Sequence, residues 1–115
     1  MIDSILTSIK KMLGIEESYT HFDNDIVMYI NSVFSILSQL GVGPTNGFSI
    51  ESADATWNEF IGDNASEINL IKSYVYLKVR LLFDPPQSSA VMECYKTQIS
   101  EYESRLYVMS DKGGE

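Results

Sequence analysis

The sequence predicts an all-α fold, a small bundle of about four helices, and three observations carry that expectation. Apolar residues recur at helical spacing in three separate segments, 23–40, 68–83 and 91–109. Glycine or proline closes the first two of these segments, with Gly41, Gly43 and Pro44 after one and Pro85 and Pro86 after the other. The composition, 44% hydrophobic and 21% charged, is that of an ordinary soluble globular chain. At 115 residues it is long enough for one domain.

The first helix spans residues 3 to 13, where Ile5, Leu6, Ile9, Met12 and Leu13 share a face. Asp3 or Ser4 can cap its first amides, Lys10 and Lys11 suit the negative end of its dipole, and Gly14 stops it. A polar stretch follows with the chain's one histidine, His21, and Thr20 or Asp23 is placed to cap the next helix. From Asp23 to Leu40 one face carries Ile26, Ile30, Val33, Phe34, Leu37 and Leu40, with Asn31, Ser35 and Ser38 opposite. The Gly41, Gly43 and Pro44 pattern that ends it is no phosphate loop: no strand precedes it and no Lys-Ser or Lys-Thr pair follows.

A long irregular loop covers about 42–66. Phe48 and Ile50 alternate with polar neighbours, as in an extended piece, and residues 53–61 have room for a helical turn presenting Trp57, Phe60 and Ile61. These aromatics either pin the loop to the core or meet another protein. The central helix, about 67–83, is apolar on two faces: Ile68, Ile71, Val75, Val79 and Leu82 form one stripe, Leu70, Tyr74, Leu77 and Leu81 another. Lys72, Lys78 and Arg80 can lay their stems over apolar surface and keep their charges in water. Such a helix needs neighbours on two sides, and Pro85 and Pro86 end it. Ser88 or Ser89 caps a last helix whose seam is Val91, Tyr95, Ile99, Tyr102, Leu106 and Met109, with Glu101 and Arg105 paired on the solvent side. The expected domain is 1–109, with 110–115 a flexible tail.

The net charge of -8 is unevenly spread, because residues 12–71 contain no lysine or arginine. A tight DNA grip needs clustered cations, which this half of the chain lacks. No apolar run is long enough to span a bilayer, and Asp3 stands where a signal peptide would be basic, so the expectation is a protein kept in a cytoplasm. Lone His21 and lone Cys94 make no catalytic or metal-binding constellation, and neither an enzyme nor a cofactor is expected. The candidate functional residues are therefore protein-interface positions: Phe48, Trp57 and Phe60 on the loop, and Tyr95, Tyr102, Leu106, Tyr107 and Met109 on the last helix.

The order of parts, with INSVFSILSQLGVGP at 30–44, FSIE and ATWNEF in the loop, and KSYVYLKVRLLFDPP at 72–86, resembles a head-to-tail connector (adaptor) protein of long-tailed double-stranded DNA bacteriophages. The resemblance implies a small helical structural subunit of a homo-oligomeric ring, commonly twelve-fold, under the portal in the virion neck, assembled in the host cytoplasm. It implies as partners the portal and a head-completion or tail protein, with double-stranded DNA passing through without specific binding and no membrane. An acidic chain suits a channel in which DNA must slide without sticking. The same charge supports a different class, an acidic DNA-mimic inhibitor or regulator that occupies a host protein's basic groove.

Overall fold

A computed structural model describes residues 4–44, 46–61 and 67–114, with side chains through residue 108. It contains α1 (Ile5–Leu13), α2 (Asp23–Gln39), α3 (Trp57–Ile61), α4 (Ile68–Phe83) and α5 (Ser89–Gly114), and no strand among the described residues. The all-α bundle expected from periodicity is what forms, with the short α3 as the helical turn in the loop. The two apolar stripes of α4 have their reason in the packing, since α1, α2 and α5 all lie against this one helix.

Helix α1 begins where Ser4 Oγ accepts from the Thr7 amide at 3.2 Å. The Ile5 amide, one of the donors a helix start leaves without a partner, donates to the Ala55 carbonyl at 3.0 Å beside an isolated antiparallel bridge between Ser4 and Thr56. Gly14 closes the helix at φ 85°, and the Ile15 amide returns to the Lys10 carbonyl at 2.8 Å. Ile5, Leu6 and Ile9 are buried, whereas Met12, expected on the same stripe, is 41% exposed.

Lys10 departs further from expectation. In place of serving a helix end in water, it is buried, and its Nζ donates to the carbonyls of Glu17 at 3.0 Å and Tyr19 at 2.8 Å. It also faces Asp23 Oδ1 at 2.8 Å, and this ion pair is that oxygen's only described partner. Asp23 is thereby committed to Lys10. No side chain caps α2, whose N-cap is Phe22, so the expected caps Thr20 and Asp23 do not operate.

Helix α2 buries Ile26, Ile30, Val33, Phe34 and Leu37 as its spacing requires. Asn31, expected on the solvent face, instead holds the extended piece of the loop. Its Nδ2 donates to the Ile50 carbonyl at 2.9 Å and its Oδ1 accepts from the Ile50 amide at 2.8 Å. The side-chain amide thus does for Ile50 what a neighbouring strand would do, and Ile50 is 2% exposed.

Gly43 has φ 95°, and a Cβ there would stand 2.5 Å from a ring carbon of buried Phe60. We expect Gly43→Ala to cost about 2–4 kcal/mol, the left-handed backbone and the overpacked ring contributing comparably, which chemical denaturation would show. A cost under about 0.5 kcal/mol would mean that the turn relaxes freely.

Beyond it, α3 is started by a capping box: the Thr56 amide donates to Glu59 Oε1 at 2.9 Å, and the Glu59 amide donates to Thr56 Oγ1 at 3.3 Å. Helix α4 buries Ile71, Tyr74, Val75, Leu77 and Val79, but Leu82, expected on the buried stripe, is 50% exposed. After the prolines, Ser88 Oγ accepts from the Val91 amide at 3.3 Å and starts α5. The helix continues to Gly114, past the expected end near Met109 and through most of the expected tail. Glu101 and Arg105 pair at 2.8 Å one turn apart, as anticipated.

Candidate protein-interface surface

Three of the expected interface residues are enclosed by the subunit itself. Trp57 is 2% exposed, Phe60 3% and Leu106 1%. The loop turns its aromatics inward: Phe34 of α2 stacks on Phe60 at 4.6 Å between centroids, and Phe48 meets both edge-on at 5.3 and 5.2 Å. Trp57 Nε1 donates to Ser8 Oγ at 2.8 Å, which satisfies the one polar atom of the indole. Lys72 Nζ lies 5.7 Å from its ring centroid. Within the single subunit Trp57, Phe60 and Leu106 are therefore core residues, not exposed anchors.

The other five divide. Phe48, Tyr95 and Tyr102 are half-buried against the core, Tyr107 is 57% exposed, and the Met109 side chain lies outside the described ones. Val91, the first residue of the expected seam, is 39% exposed, so the buried knobs among the described side chains of α5 are Ile99 and Leu106.

Exposed apolar surface lies elsewhere as well. Met28 at 57% and Leu82 at 50% exposure flank a groove between α2 and α4 that is also lined by Tyr29, Ser32, Ile36 and Leu81. On the other side Leu70, Arg105 and Val108, the last 53% exposed, line a second groove between α4 and α5. Met28 could have been found from the sequence, because it interrupts the polar face of α2.

Polar contacts gather between α4 and α5. The Tyr74 hydroxyl donates to Glu103 Oε2 at 2.7 Å, and Lys78 Nζ approaches the same oxygen at 3.9 Å. Burial, then the hydrogen bond to the Glu103 carboxylate and its charge, hold the Tyr74 phenol far above the usual range. A raised folded-state value gives stability that is fully present below the unfolded phenol's value, near 10, and is lost progressively as pH rises above it. Between about pH 9 and pH 11, Tyr74→Phe should therefore lose melting temperature less steeply than the parent, although it starts lower. Parallel curves would show that Tyr74 is not the group responsible.

Charge follows the sequence division. Residues 1–71 hold ten acidic and two basic side chains, whereas 72–115 hold six of each. Glu16, Glu17, Asp25, Glu51, Asp54 and Glu59 are all exposed. Among the described residues no three His, Cys, Asp or Glu side chains gather to hold a metal ion, and no helix is long and apolar enough to cross a membrane.

A helical subunit whose exposed apolar residues line two separate grooves, and whose first 71 residues carry mostly acidic charge, has the character of an assembly component. The family model described as "Phage connector protein" matches residues 5–113, and the chain belongs to that family of bacteriophage head-tail connectors. No match was found among curated proteins or among solved structures. The family is a structural class, and the chain is a connector-type structural protein of a phage.

Proposed function

We propose that this chain is a subunit of a twelve-fold ring in the virion neck, which docks on the portal, extends the DNA channel and receives the next head-completion or tail protein. The family match over 5–113 carries this reading. Two features support it. The excess of acidic over basic side chains within residues 1–71 gives DNA no cationic surface to hold, so a passing duplex is repelled rather than bound. Exposed apolar residues line two grooves, Met28 and Leu82 between α2 and α4 and Val108 between α4 and α5, as a subunit with more than one neighbour requires. In this reading subunits gather in the host cytoplasm during assembly, and Tyr107, with the edges of Tyr95 and Tyr102, contributes to subunit contacts.

The test mixes purified protein with the phage portal and images the product. A ring of this chain on the portal is the expected outcome, and its absence from both that product and the virion neck would reject the reading. Tyr107→Ala should leave folding stability within about 0.5 kcal/mol and weaken ring or portal association about tenfold or more. Undiminished association would remove Tyr107 from the contact.

A further inference from the structure

Helix α5 is 26 residues long, about 39 Å, yet α4 is the element it packs against. Of its described side chains only Ile99 and Leu106 are buried. Polar contacts to α4 hold it as well: Glu103 accepts from the Tyr74 hydroxyl and faces Lys78, and Tyr95 lies 5.8 Å from the Arg80 guanidinium. A long helix held by two buried side chains and the half-buried Tyr95 and Tyr102 has less to lose on opening than the body has on unfolding. The body it leaves behind keeps α1, α2 and α4 packed on one another. The connection, Asp84 to Ser88, contains Pro85 and Pro86, which cannot donate a backbone hydrogen bond and so give up none when the turn opens.

We propose that α5 swings out at Asp84–Ser88 and takes the same seat on α4 of a second copy, so that neighbouring subunits of the ring are joined by exchanged last helices. This rests on the ring reading above. The occupant follows from complementarity already present: every copy carries both the helix and a seat that fits it, so exchange creates no new core contact and leaves none unfilled. Exchange in one direction, each subunit giving α5 to the next, is a head-to-tail contact that closes into a ring when the rotation permits. The Tyr74–Glu103 hydrogen bond sets the axial register equally well within one chain or between two.

The experiment has two arms. In the first, full-length subunits with light and heavy nitrogen are mixed in equal amounts, assembled on the portal, and treated with a zero-length carbodiimide to join Lys78 to Glu103, which stand 3.9 Å apart. With exchange, about half of the joined Lys78–Glu103 peptides carry one light and one heavy strand. Peptides of a single isotope only would overturn the proposal while leaving the ring itself intact. Failure to assemble at all would count against the ring reading, and the second arm needs no portal.

In that arm Pro85, Pro86, Gln87 and Ser88 are deleted from the full chain, which leaves Asp84 alone between α4 and α5, shorter than the about two to five residues in which antiparallel helices turn. The expected result is a discrete oligomer by light scattering with helix content unchanged by circular dichroism. Adding Leu106→Asp, which spoils the buried knob of α5, should return it to monomer. A shortened chain that is folded and monomeric, or an oligomer indifferent to Leu106→Asp, would overturn exchange.

Discussion

Trp57→Ala is expected to destabilise the subunit by about 3–5 kcal/mol, a large part of what a domain of this size has to lose. The indole is 2% exposed and lies against three helices at once: Ser8 of α1 accepts its N–H, Phe34 of α2 meets it edge-on at 6.4 Å, and Lys72 of α4 covers a face. Truncation leaves a cavity that none of the three can close alone, because each is fixed by other contacts. The melting temperature should fall by about 10–20 °C. Trp57→Phe separates the terms, refilling most of the cavity while losing the Ser8 bond, and should recover more than half of the loss. A Trp57→Ala variant that melts like the parent would return the loop to the surface and revive its reading as a partner contact.

Lys10→Met should cost about 2–3 kcal/mol, more than most single lysine replacements. The substitution keeps the stem but removes the charge, so Asp23 Oδ1 loses its only described partner and the Glu17 and Tyr19 carbonyls lose a donor. Breaking a buried pair from one side costs about 3–5 kcal/mol, and the 27% exposure of the Asp23 side chain reduces that through solvent screening. The accompanying Asp23→Asn change should recover part of the loss, since it relieves the stranded carboxylate. Additive costs in this double-mutant cycle would show that the two side chains do not interact.

Most of the helical framework was legible because its signals are local. A period of 3.6 over sixteen or more residues, bounded by Gly41 or Pro85, leaves little choice of element, and two apolar stripes on 68–83 require a helix between helices. The direction of the loop aromatics was not legible. A five-residue helix is too short to show a period, so Trp57 and Phe60 carry no sequence sign of which way they face. The start of that helix could have been read, since Thr56 and Glu59 are spaced as a capping box. Lys10 was unreadable for another reason: its acceptors are two backbone carbonyls placed by a turn, and a turn's carbonyl directions are not written in its side chains. The exposure of Leu82 is likewise a tertiary fact, since the residue stands at the open groove between α2 and α4.

The candidate site divides along the same line. Tyr107 could be placed at the surface because it leaves the seam spacing of α5, whereas Leu106 lies within it and is buried. Met28 is legible in the same way, as an apolar residue on the face of α2 that carries Asn31, Ser35 and Ser38.

The tie between the start of α1 and the loop ahead of α3 has a kinetic consequence. Ser8 and Trp57 are 49 residues apart, and the Ile5 bond to Ala55 spans a comparable distance. Nine residues of isolated helix are marginal in water, so α1 has little persistence until that long segment closes upon it. Closure must be paid for in chain entropy before the contacts that reward it are made, so the tie between α1 and the loop forms later than the local helices do. The contact of Ser8 with Trp57 thus acts as a late latch that fastens the loop to the N-terminal helix.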